Sequence, residues 1–219
     1  MSETTLSPEV YQENLEFWNK AWNGVKTPYT QMPDLPYLSK IPASLLPHKA
    51  ELVLDLGCGS GWLSIYLARD GFKILGVDVA AHAIELAKVW ADQENLNTEF
   101  EVKDISNLDY AAGSFGGVVA NSIFEHLTLE LAEKTAATIE RILKPGGTFV
   151  ACFDKVGTGP GEYYKLGDGT HVYTDKGRRG MMLRCFSEDE ILKLFSAFEV
   201  EEFAEVSDIG RLFIARKPA

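Results

Sequence analysis

Cysteine is scarce and unpatterned: Cys58, Cys152 and Cys185 form neither an even set nor a Cys-x-x-Cys pair. A disulfide framework and a structural zinc site are therefore not expected, and the three thiols should be free. No apolar run approaches the length of a membrane-spanning helix, and Met1-Ser2-Glu3-Thr4-Thr5 is not a charged lead into an apolar signal core. A cytoplasmic location without a membrane partner is the expectation. Positive charge is short as well, with 21 Lys and Arg against 32 Asp and Glu and a formal net charge of −11. That sign disfavours a polyanion, so nucleic acid is not an expected partner. The one locally basic stretch, Lys176-Gly177-Arg178-Arg179-Gly180 with Arg184, has donors enough for a single carboxylate or phosphate. Such runs more often form solvated loops.

What is present is enough apolar residue to bury a core, 46% of 219 positions, with no internal repeat or low-complexity tract. Helical spacing of apolar residues covers 8–22, 61–69, 80–94, 129–143 and 187–198, with strand-like runs between them. Alternation as far as Cys152 predicts a parallel sheet. Two further strands, over 198–206 and 211–217, are joined by Ser207-Asp208-Ile209-Gly210, which suits an antiparallel hairpin. Leu143-Lys144-Pro145-Gly146-Gly147 reads as a helix stop before a fifth strand. Only 154–184 lacks periodicity, and a loop of that length in a compact domain is usually functional or mobile.

The chemistry is concentrated in Leu52-Val53-Leu54-Asp55-Leu56-Gly57-Cys58-Gly59-Ser60-Gly61. An apolar strand runs into three alternate glycines, whose missing Cβ atoms let a ligand approach the backbone, and a helix follows from Trp62. A dinucleotide turn wants G-x-G-x-x-G for a pyrophosphate, whereas Trp62 stands at the third glycine position here. Asp55, just before the first glycine, would repel a pyrophosphate and suit a ligand carrying positive charge. A second strand ends at Asp78, 21 residues after Gly57, the distance at which a carboxylate accepts hydrogen bonds from ribose hydroxyls.

With these residues the chain resembles the class I methyltransferases that use S-adenosylmethionine, whose first motif is close to (V/L)LD(L/V)GCG(S/T)G. The resemblance implies an α/β Rossmann-like fold, with a seven-stranded, mostly parallel sheet, helices on both faces and an antiparallel C-terminal hairpin. One methyltransferase domain over 1–219 is expected, made of a helical cap (1–48), a cofactor-binding core (49–153), a variable substrate loop (154–186) and a closing helix and hairpin (187–219). For the cofactor, Gly57, Cys58, Gly59 and Gly61 would admit the methionine portion, Asp55 would order its amino group and Asp78 would hold the ribose. The acid ending the third strand, Asp104, would frame the adenine with Ile105 and Val79. Phe115 to Leu127 looks like the fourth motif, which would bring Asn121 and Phe124 near the transferred methyl.

The N-terminal helix carries Tyr11, Leu15, Trp18 and Trp22 on one face, a pattern that core packing alone would also produce. Its run Trp18 to Gly24 is similar to the entry segment of thiopurine, thiol and halide methyltransferases, where that segment helps close the cofactor pocket. Trp18 and Trp22 would then close over the cofactor, and the acceptor would be a small molecule, with a thiol or other soft nucleophile among the candidates. Tyr11, His171, Arg179 and Arg184 are the candidate acceptor contacts. A thiol needs no dedicated base, whereas an alcohol does, and His126, His171 and Glu125 are candidates, His126 foremost. No catalytic metal is expected, since Asn121 and Ser122 stand where a metal-assisted variant needs a carboxylate beside Glu125-His126. An O- or N-methyltransferase of a small metabolite, a nicotinamide-dependent oxidoreductase and a non-catalytic S-adenosylmethionine-binding module are the alternatives. A monomer or homodimer is expected.

Overall fold

The computed structural model describes residues 6–155, 159–208 and 210–219. Met1 to Thr5, part of the 154–184 loop and Ile209 of the expected hairpin turn therefore lie outside the described residues. In chain order the helices are α1 (Pro8–Asn23), α2 (Lys40–Leu45), α3 (Trp62–Arg69), α4 (Ala81–Gln93), α5 (Leu129–Ile142) and α6 (Glu188–Leu194). The strands are β1 (Leu52–Leu56), β2 (Lys73–Asp78), β3 (Glu99–Val102), β4 (Phe115–Asn121), β5 (Leu143–Asp154), β6 (Tyr163–Lys165), β7 (His171–Tyr173), β8 (Met182–Leu183), β9 (Glu199–Ser207) and β10 (Gly210–Arg216).

Seven strands form one sheet in the order β3-β2-β1-β4-β5-β10-β9. The pairs from β3 to β5 are parallel, while β10 runs antiparallel to both β5 and β9, giving the expected closing hairpin. Period-two alternation sends Leu54, Leu56, Val118, Phe149, Phe153 and Phe213 to one face, packed against α5 and α6. Val53, Ile74, Val119, Val150, Leu212 and Ile214 go to the other, against α2 and α3. Both faces are dry, which is why the central strands read as continuous apolar runs. Among the described residues no helix is long and apolar enough to cross a membrane.

Three local expectations are corrected. The expected irregular loop contains a small antiparallel sheet, β6-β7-β8, whose Val172 and Met182 join the main core. Strands of two or three residues are too short to show a period in sequence. The fifth strand starts at Leu143, not Thr148, and Pro145-Gly146-Gly147 is absorbed as an irregularity in the β4–β5 pairing. Gly146 N and Lys217 N bond across this stretch to Lys217 O and Gly147 O, so the main chain stays paired. The last helix ends at Leu194, because Phe195 and Phe198 turn inward onto Phe149. Its start is well specified by the Ser187–Glu190 capping box.

Candidate active site

The carboxyl ends of β3, β2, β1 and β4 lie side by side, and a cavity of about 270 Å³ opens over them beneath α1. Open α/β sheets bind ligands at this edge, where strand order reverses between β1 and β4. The glycine turn is left-handed throughout, with φ of +65° at Gly57, +55° at Gly59 and +90° at Gly61. Space forbids a side chain as firmly as the backbone does: a Cβ on Gly57 would sit 2.0 Å from Ile123 Cδ1, and one on Gly59 2.9 Å from the Trp22 ring. Gly57 and Gly59 line the cavity, whereas Gly61 caps α3 and packs against Ala87 and Phe100.

Asp78 accepts 2.9 Å hydrogen bonds from Gly59 N and Ala80 N, which tie the end of β2 to the glycine turn. Burial raises its pKa against the pull of those bonds. Asp104 is held by two groups: Ser106 N donates to it at 2.8 Å, and the Tyr11 hydroxyl lies 2.7 Å from both of its carboxylate oxygens. Tyr11, expected against the acceptor, lines the cavity and ties α1 to the acid after β3. Val79, Ile105, Asn121, Trp18 and Trp22 complete the wall with residues that the sequence did not single out for the site: Asn14, Leu15, Ser122, Ile123 and Leu127. Ser122 takes a left-handed φ of +54°, rare for a non-glycine residue, and its N–H donates to Cys152 O at 3.1 Å. No local sequence signal marks that turn.

Several expected site residues lie elsewhere. Asp55 is only 2% exposed and sits under the turn, where Ser64 Oγ donates to it at 2.6 Å. Burial, reinforced by the neighbouring Asp78, pushes its pKa up to about 7. Cys58 is buried beside it, its N–H given to Val77 O. Phe124 is fully buried among Phe149, Phe153 and Phe195, because the 3-10 turn Phe124–His126 directs it into the core instead of toward the cavity. Arg184 is buried and bonded to Asp168 O and Glu190, and Arg179 pairs with Glu13 of α1 at 3.0 Å. Asn14 Nδ2 also donates to Gly180 O at 3.0 Å, anchoring α1 to this stretch. His171 lies on β7 with its ring 4.5 Å from Tyr163, outside the cavity wall. Glu125 is buried, its pKa pushed well up, and accepts from Asp154 N at 3.1 Å.

His126 does line the cavity. Its Nδ1 lies 3.1 Å from Met182 O, and a carbonyl only accepts, so Nδ1 carries the proton and Nε2 is the basic atom of the neutral ring. Burial lowers its pKa, and Trp18 packs edge-to-face on the ring at 4.7 Å. Among the described residues no group of three or more His, Cys, Asp or Glu is arranged to hold a metal.

Residues 53–147 match a family model described as a methyltransferase domain. The chain is 34% identical over 141 residues to the 2-heptyl-1-hydroxyquinolin-4(1H)-one methyltransferase of Mycobacteroides abscessus, covering 64% of this chain and 60% of that protein. It is 35% identical over 105 residues to a ubiquinone biosynthesis O-methyltransferase of Cereibacter sphaeroides, covering 48% and 42%. The matches thus span three fifths or less of these relatives' own lengths. A solved S-adenosylmethionine-dependent methyltransferase from Methanosarcina mazei superposes with a TM-score of 0.64 at 25% identity, covering 77% of this chain and 92% of that one. In its first glycine motif, its sheet order and these matches, the chain is similar to the S-adenosylmethionine-dependent methyltransferases, with residues 53–147 matching their domain model.

Proposed function

We propose that the chain transfers a methyl group from S-adenosylmethionine to the oxygen of a hydroxyl on a small ring-bearing acceptor, with His126 as general base. The cavity suits that cofactor: left-handed glycines leave room that a Cβ would fill, and carboxylates stand at the ends of the two neighbouring strands. Asp78 and Asp104 hold the nucleoside with Val79 and Ile105, Gly57 and Gly59 admit the methionine portion, and Asn121 stands beside it. Trp18 and Trp22 shut out water from above. Bound S-adenosylmethionine supplies an electrophilic methyl on a sulfonium, for in-line attack.

The observation that carries the reading is the His126 tautomer. Its anchored Nδ1 leaves Nε2 to take a proton from the acceptor hydroxyl, and burial keeps the ring neutral at pH 7. The hydroxylated ring system named in the Mycobacteroides abscessus relative supports an oxygen acceptor. Mass spectrometry should detect one added methyl on 2-heptyl-1-hydroxyquinolin-4(1H)-one, or on a hydroxylated ring compound of a panel, and His126→Asn should slow it by about 10²- to 10⁴-fold while S-adenosylhomocysteine still binds. The Trp18 to Gly24 run favours a second reading, a thiol acceptor, which needs no base. Thiol methylation unaffected by His126→Asn would replace the first reading with the second. Binding without methylation of any acceptor would leave a cofactor-binding module.

A further inference from the structure

Tyr37 lies outside the matched segment 53–147, before α2, yet its hydroxyl reaches the end of the central strand β4. It is buried, and it donates to Asn121 Oδ1 at 2.9 Å. Asn121 faces Cys152 across the β4–β5 pair, and the Cys152 thiol adjoins the same hydroxyl. These neighbours decide which way the amide turns. Were Nδ2 to face Tyr37, the phenolic proton would be left with sulfur, a poor acceptor. The hydroxyl therefore takes Oδ1, and Nδ2 turns away toward Ser122 Oγ at 3.2 Å and the cavity wall. Burial keeps the Tyr37 hydroxyl protonated, so the arrangement persists across neutral pH.

Donors are few along that wall. Among the described lining residues there is no Lys or Arg, Tyr11 is bound to Asp104, and Asn14 gives one of its two amide protons to Gly180 O. Asn121 Nδ2 carries two protons, and one is left for a ligand. The row of strand ends says which part of the ligand meets it: Asp104 after β3, Asp78 on β2, Gly57 after β1 and Asn121 on β4 follow one another in space. A ligand with its nucleoside at the first two has its amino-acid end at the last two.

We propose that Tyr37 is a positioning residue, fixing the Asn121 amide so that its N–H meets the amino-acid half of the bound S-adenosyl ligand. The proposal rests on the cofactor reading above. Calorimetry with two probes tests it, S-adenosylhomocysteine and 5′-methylthioadenosine, which lacks the amino-acid half, on the wild type, Tyr37→Phe, Asn121→Ala and the double variant. Each single change should weaken S-adenosylhomocysteine roughly tenfold or more, the worth of a hydrogen bond to its carboxylate, and leave 5′-methylthioadenosine unchanged. The double variant should be no weaker than Asn121→Ala. Losses that add in the double variant, equal losses for both probes, or a Tyr37→Phe chain that binds like the wild type would each overturn the positioning role and leave the cofactor reading standing. A wild-type chain that binds neither probe would overturn both.

Discussion

Gly57→Ala is the perturbation whose effect is best determined by geometry. Alanine at φ +65° costs about 1–2 kcal/mol of backbone strain. For a chain of 219 residues that lowers Tm by roughly 2–8 °C. The new methyl would also stand 2.0 Å from Ile123 Cδ1 and 2.7 Å from Cγ1, against an ordinary carbon contact of about 3.5–4.0 Å. Ile123 must withdraw, and since it and Gly57 both border the cavity, it moves into the space a ligand needs. Overpacking of this kind costs about 1–3 kcal/mol, so S-adenosylhomocysteine should bind about 5- to 150-fold more weakly by calorimetry. The double variant Gly57→Ala with Ile123→Ala separates the two effects, recovering affinity while keeping the backbone strain in Tm. A Gly57→Ala chain of wild-type affinity, or a double variant as weak as the single one, would refute the reasoning.

His126→Asn should lower kcat/KM for a hydroxyl acceptor by about 10²- to 10⁴-fold with S-adenosylhomocysteine affinity retained. Because the base must be neutral and burial lowers its pKa, wild-type kcat/KM should be flat above neutrality and fall in acid, as a pH-rate profile will show. Asp78→Asn should weaken S-adenosylhomocysteine roughly tenfold or more, as expected for a charged hydrogen bond, in the same calorimetric assay. Asp55 binds its proton up to about pH 7 when folded but only to about 3.8 unfolded, so its contribution is lost as pH rises through that window. Denaturant titrations should find wild-type stability falling from pH 4 to pH 8, and a flatter dependence for Asp55→Asn. Phe124→Ala should cost about 3–5 kcal/mol in urea unfolding, as a core residue does.

What was legible in the sequence was local. The apolar run into Gly57, Gly59 and Gly61, the acids ending β2 and following β3, and the alternation of strands and helices each lie within one or two elements. Local sterics and periodicity therefore specify them. Sequence by itself thus determined the sheet and the half of the cavity built from β1, β2 and β3. Tertiary structure alone decided the rest, because its contacts join residues far apart in the chain. Tyr11 meets Asp104 across 93 residues, Tyr37 meets Asn121 across 84, and His126 takes its tautomer from Met182, 56 residues on. The same distance effect moved Phe124 into the aromatic core, where burial outweighs what the side chain suggested from its type. A motif fixes the backbone that a ligand approaches, but which side chains face that ligand depends on what packs behind them, and packing is a property of the whole fold.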